Sequence, residues 1–201
     1  MLAWGDKGGT DRMSSPGRRA VFLDRDGVLN EVVLQEGRPG SPAGVADVRI
    51  PAGVPEALRR LREAGFVLIC VTNQPEVARG RQRRGTVEAI NRALAAALPI
   101  DDFFVCYHDD GDDCQCRKPR PGLLLAAAAR HGIDLRRSVM VGDRWRDVDA
   151  GHRAGCLAVQ IAGEHVERAP DSPPEYATNS LCDAASWIVA RASHDLMPAD
   201  G

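Results

Sequence analysis

The sequence predicts a doubly wound α/β fold, a parallel sheet with helices packed on both faces. Two observations predict it. Short, wholly apolar runs alternate along the chain with segments of helical period, and a strand without polar alternation is one covered on both faces. Polar residues also follow the apolar runs directly: Asp24-Arg25-Asp26-Gly27 after the first, Thr72-Asn73-Gln74 after the second and Gly142-Asp143 after the fourth. A parallel sheet gathers on one rim whatever follows its strands, and that rim is where such folds bind ligands.

The elements follow in order. Residues 20–23 form the first strand. Residues 30–53 carry Gly37, Pro39, Gly40, Pro42 and Gly44 and are expected to form only a loop, too little for a large cap domain. Residues 55–64 place Ala57, Leu58, Leu61 and Ala64 on one helical face, and Gly65 ends that helix. Residues 66–71 are the second strand. A helix over 86–98 is expected to start on Thr86 as N-cap and stop at Pro99. Residues 103–107 are the third strand, and a helix over 121–131 is opened by proline and closed by Gly132. A fourth strand at 139–141, a helix over 146–154, a fifth strand at 156–161, a loop over 164–174 and a last helix over 181–192 complete the pattern.

A chain of 201 residues is expected to form one domain, residues 18–193, with tails at 1–17 and 194–201. Net charge is -2 and charged residues are 27%, so nothing marks a general nucleic-acid binder or a disordered chain. No apolar run approaches a membrane span, and residues 1–17 lack the apolar stretch of a secretory signal, so a cytoplasmic location is expected. Six cysteines in a reducing compartment point to buried thiols or metal ligands. Cys70, Cys156 and Cys182 fall in strand or helix patterns and read as buried apolar residues.

Asp24 and Asp26 directly follow a buried strand and precede a glycine. With Asp143 arriving from another strand they would repel one another unless a cation sits between them, and hard oxygen ligands suit Mg²⁺. The same residues also read as simple caps, Asp24 of a turn and Asp143 of a helix. The chemistry of the set fits phosphoryl transfer. One carboxylate can attack phosphorus, and an acid two residues on can protonate the leaving alcohol and then activate water. A fixed cation and a hydroxyl are needed for the phosphoryl oxygens, and Lys118 and Thr72 are the candidates. Of 26 lysine and arginine residues only Lys7 and Lys118 are lysine. Cys106-x-His108 and Cys114-x-Cys116 offer a Cys₃His set for a structural Zn²⁺, with four protein ligands and no open position. Asp109, Asp110, Asp112 and Asp113 crowd that loop with like charge, so metal is expected to pin it and thereby position Lys118.

FLDRDGVLN, VTNQ, CRKPRPG and VGDRWRD, in this order over about residues 20–161, resemble the four motifs of the haloacid dehalogenase superfamily of phosphatases. The resemblance implies Asp24 as nucleophile, Asp26 as acid/base and Thr72 and Lys118 on the phosphoryl group. Mg²⁺ would be held by Asp24, Asp143 and the backbone carbonyl of Asp26. The cysteine cluster narrows the likeness to the heptose-1,7-bisphosphate 7-phosphatases and the related histidinol-phosphatases. TNQPEVARG resembles the heptose enzymes' TNQ-x-x-x-ARG, with Pro75-Glu76 where those have Ser-Gly, whereas the five residues between His108 and Cys114 resemble the histidinol branch. The implied reaction is removal of the 7-phosphate of D-glycero-D-manno-heptose 1,7-bisphosphate. Histidinol phosphate or another small metabolite is the alternative, and end-processing of nucleic acid a more distant one. Substrate contacts are expected from Arg25, Asn73, Gln74, Arg79, Arg117 and Arg144. The expected partner is a small phosphorylated sugar or metabolite met by a monomer, with no membrane and with nucleic acid the least favoured partner.

Overall fold

A computed structural model describes residues 17–35, 38–163 and 168–194. The expected tails, save Gly17 and His194, lie outside the described residues, as does part of the expected loop over 164–174.

Six parallel strands form one sheet: β1 (Ala20–Leu23), β4 (Val67–Asn73), β5 (Asp102–Cys106), β6 (Val139–Gly142), β7 (Leu157–Ile161) and β8 (Tyr176–Thr178). Their order is β5-β4-β1-β6-β7-β8. The chain builds outward from β1 through β4 to β5, then crosses back to β6 and builds the other way. β1 is therefore the switch point, and a crevice opens beyond its carboxyl end.

The strands alternate strictly between two cores. Val21, Leu23, Leu68 and Cys70 face α1 (Val54–Glu63), α2 (Arg84–Ala97) and α5 (Leu181–His194). Ala20, Phe22, Ile69 and Val71 face α3 (Gly122–His131) and α4 (Trp145–Ala154). Period-two side chains in a sheet buried on both sides leave no polar face, which is why the strands read as unbroken apolar runs. α1 buries Val54, Ala57, Leu58 and Leu61. α3 ends on Gly132 at φ 63, a left-handed position that favours glycine.

Three expectations change. Residues 30–53 form more than a loop: β2 (Val33–Gln35) and β3 (Arg38–Gly40) pair antiparallel, followed by a 3₁₀ turn at Val45–Asp47. A two-stranded ribbon has only edges, where a strand proline is tolerated, so Pro39 was no obstacle. The second helix starts at Arg84, because the Thr86 and Val87 amides already bond back to the Arg83 carbonyl, and Thr86 is not its N-cap. β8 was not expected; it is a short edge strand whose Tyr176 ring stacks on Trp187 of α5, centroids 5.4 Å apart. Among the described residues no helix is long and apolar enough to cross a membrane.

Candidate active site

β1 carries Asp24 to the crevice by continuing its pairing with β6, the Asp24 amide bonding the Val141 carbonyl at 2.9 Å. The chain then turns sharply, with the Leu29 and Asn30 amides returning to the Arg25 carbonyl at 2.9 and 3.1 Å. Gly27 sits in this turn at φ 91, and a Cβ there would lie 2.5 Å from Asp143 Oδ2. Glycine is thus required both by the backbone and by the approach of an acid from the end of β6. Gly142 has a like role, since a Cβ there would collide with Asp147 folding back from the first turn of α4.

The acids converge. Asp24, Asp143 and Asp147 each offer a carboxylate oxygen within 4.8 Å of the others, and all three are buried. Lys118 Nζ lies 2.9 Å from Asp24 Oδ1, 2.6 Å from Asp147 Oδ1 and 2.7 Å from the Val71 carbonyl, so each ammonium proton has an acceptor. Burial, with the neighbouring acids, raises Asp24 to about 6 against the pull of Lys118. Burial beside Asp24 and Asp147 raises Asp143 to about 8. For Lys118 burial favours the neutral amine, but Asp147 and Asp24 outweigh it and hold the ammonium form.

This donor set fits Mg²⁺. Three carboxylates crowd together with one ammonium between two of them, and Asp143 Oδ1 is a buried oxygen without a hydrogen-bond partner. A hard divalent cation offsets both the repulsion and the orphaned acceptor. The Cys106, His108, Cys114 and Cys116 ligand atoms also close on one point, with separations of 3.2 Å (His108 Nδ1 to Cys116 Sγ) to 3.7 Å (Cys106 Sγ to Cys114 Sγ). Sulfurs about 2.3 Å from one tetrahedral zinc would stand about 3.7 Å apart, and a histidine nitrogen slightly closer, so the three sulfurs and one nitrogen fit a tetrahedral Zn²⁺ with little adjustment.

The other expected residues divide. Thr72 and Asn73, at the end of β4, line a cavity of about 230 Å³ together with Asp24, Asp26, Lys118, Arg79, Arg117 and Arg144. Thr72 Oγ1 accepts from Gln74 Nε2 at 2.9 Å, so the hydroxyl has its own hydrogen to donate. Asn73 spends both ends of its amide on the Lys118 backbone, at 3.0 and 3.1 Å. Arg79 pairs with Glu76, Asp109 and Asp110, and Arg117 with Asp110 at 2.8 Å.

Arg25 and Gln74, expected on the substrate, are corrected. Both are 0% exposed and neither lines the cavity. They serve Asp26, whose oxygens accept from Arg25 Nε and Nη2, Asn30 Nδ2, Ser41 Oγ and Gln74 Nε2 at 2.7–3.2 Å. Burial pushes the Asp26 carboxyl up, but the Arg25 guanidinium and the bonds from Asn30 and Ser41 outweigh it and hold it below the usual range. The Asp26 side chain therefore stands apart from the acid trio, and Asp147 takes the third place. Asp147 was legible as the last acid of VGDRWRD; Ser41 was not, because its position depends on the ribbon. Arg146 also lines the cavity. Asp143 does not cap α4: the Arg144 amide bonds Asp147 Oδ2 instead, at 3.1 Å.

A switch-point crevice holding an acid pair after β1, a hydroxyl at the end of β4 and, after β5, a lysine locked to the acids of β1 and α4 defines a phosphoryl-transferring hydrolase. The chain belongs to the haloacid dehalogenase-like hydrolase family, whose family model matches residues 31–155, and it is a phosphatase. It is 34% identical over 193 residues to the D-glycero-D-manno-heptose-1,7-bisphosphate 7-phosphatase of Thermosynechococcus vestitus, across 85% of this chain and 95% of that one. A like-named enzyme of Yersinia pestis is 34% identical over 186 residues, across 86% and 96%. Among solved structures, the D,D-heptose 1,7-bisphosphate phosphatase from B. bronchiseptica, complexed with magnesium and phosphate, aligns with TM-score 0.71 and 28% identity over 86% of this chain and 99% of that one.

Proposed function

We propose that this chain is a Mg²⁺-dependent phosphatase that removes the 7-phosphate of D-glycero-D-manno-heptose 1,7-bisphosphate through an aspartyl-phosphate on Asp24. The observation that carries the reading is the buried Asp24 carboxylate, held by Lys118 at 2.9 Å on the wall of the cavity. The sugar comes from the relatives, whose names specify it and whose likeness spans most of both chains.

In the first half-reaction Asp24 attacks phosphorus. The bond from phosphorus to the sugar oxygen breaks, and that oxygen keeps the electron pair and takes a proton from Asp26, which the arriving monoanionic ester has protonated. In the second, water attacks the phosphorus, gives a proton to Asp26 and displaces the Asp24 carboxylate, leaving inorganic phosphate. Lys118 and the Thr72 hydroxyl balance charge on the phosphoryl oxygens. Asp24, Asp143 and Asp147, with the Asp26 backbone carbonyl, would hold Mg²⁺, which when bound would supply the positive charge that favours ionised Asp24 and a phosphoryl group beside it. Arg117, Arg144, Arg146 and Arg79 on the wall supply the extra cations a bisphosphate requires, and Asn73 fixes the Lys118 backbone.

Residues 18–193 act as a single catalytic domain in this reading. The balanced net charge of -2 and Asp109, Asp110, Asp112 and Asp113 in the loop before Lys118 speak against a nucleic-acid strand as partner. Thiolate zinc ligands support a reducing, cytoplasmic setting.

The test is phosphate release from heptose bisphosphate, histidinol phosphate and nucleoside monophosphates, with and without Mg²⁺. Heptose bisphosphate should lead in kcat/KM by at least about tenfold, and only with Mg²⁺. Equal or faster turnover of histidinol phosphate would move the assignment to that substrate.

A further inference from the structure

α2 buries Val87, Ile90 and Leu94, as an amphipathic helix should, and with them one amide, Asn91. Asn91 is 7% exposed and does not line the cavity. A buried amide persists where it has a partner, and Asn91 Oδ1 accepts from Arg25 Nη1 at 3.1 Å. The opposite edge of the same guanidinium, Nε and Nη2, grips the Asp26 carboxylate at 2.9–3.2 Å. A guanidinium is planar, so fixing Nη1 fixes the direction in which Nε and Nη2 point.

We propose that Asn91 is a positioning residue for proton transfer: through Arg25 it holds the Asp26 carboxyl in the orientation from which the leaving oxygen is protonated. The inference rests on the acid/base role given to Asp26 above. It adds a residue on a helix behind the site, in a part of the chain where no motif was read.

The readout is leaving-group dependence. An alkyl phosphate needs a proton on its departing oxygen, whereas p-nitrophenolate departs without one. Values of kcat/KM for glycerol phosphate and p-nitrophenyl phosphate report the steps up to that departure, and are compared with Mg²⁺ on the full chain. Asn91→Leu should lose about tenfold or more on glycerol phosphate and less than about threefold on p-nitrophenyl phosphate. Asn91→Asp, which keeps the acceptor, should restore most of the loss. Asn91→Ser serves in place of Asn91→Leu if the latter does not fold, as judged by circular dichroism. Asp26→Asn should show the same asymmetry, larger. Equal losses on both esters in the Asn91 variants, or no loss, beside an asymmetric Asp26→Asn would overturn this inference alone. A symmetric Asp26→Asn would overturn the acid assignment and this inference with it.

Discussion

Lys118 has three protons and three acceptors, two of them buried carboxylates at 2.6 and 2.9 Å. Truncating it does two things at once. It removes a fixed cation from the phosphoryl site, which costs about 3 kcal/mol or more of barrier, or about a hundredfold in kcat. It also leaves Asp24 and Asp147 buried without their counter-charge, a loss of about 3–5 kcal/mol of stability where no metal compensates. Lys118→Ala should therefore show both a lower melting temperature and a kcat at least about a hundredfold down on folded protein; a variant within tenfold of the parent contradicts the role. This lysine, with Asp24 and Asp143, was legible because each falls in a short motif at the carboxyl end of the sheet. Arg25 and Gln74 were misread for a physical reason. Position after a strand fixes the rim a residue reaches, but not the direction of its side chain, and these two turn inward to Asp26 rather than outward to solvent. Asn91 left no such trace, since an amide on a helix says nothing of a partner far along the chain.

The end of β5 and the loop from it to α3 hold the zinc ligands, and the same loop carries Lys118, so its order bears directly on the site. The sequence suggested four mutually repelling aspartates. In the structure Asp109 and Asp110 pair with Arg79, Asp110 with Arg117 and Asp113 with Arg120. These pairs are largely exposed and worth about 0–1 kcal/mol each, whereas a structural zinc contributes about 10 kcal/mol or more in small peptides. The metal decides the matter. Removing zinc with a chelator and restoring Mg²⁺ should lower kcat by at least about tenfold and the thermal midpoint by several degrees. If zinc content falls to zero and both readings hold, the arginine pairs suffice and the positioning role fails. Elements of this size were unevenly legible. Both the cysteine spacing and the fully apolar strands announce themselves. β2, β3 and β8 do not, because three-residue edge strands carry too little pattern, and the proline and glycine of β3 read as breaks.

For the molecule as a whole, the acid cluster couples stability to pH and to metal. Asp24 rises from 3.8 to about 6 and Asp143 from 3.8 to about 8, burial being the largest cause in each. The folded chain therefore binds more protons than the unfolded one between about pH 4 and pH 8. Stability then falls as pH rises through that window, since the slope of unfolding free energy with pH takes the sign of protons bound unfolded minus protons bound folded. The contribution is fully present below about pH 4 and is lost as Asp24 and then Asp143 are forced to ionise. Mg²⁺ binds the ionised cluster and reverses that loss, so its stabilising effect should grow with pH. The melting temperature of the metal-free protein should drift downward from pH 5 to pH 8, beyond what a variant with Asp143→Asn shows. Added Mg²⁺ should raise it more at pH 8 than at pH 5. An equal rise at both values would mean that the carboxylates do not share one cation, and the mechanism built on Asp24 would lose the charge that keeps it a nucleophile.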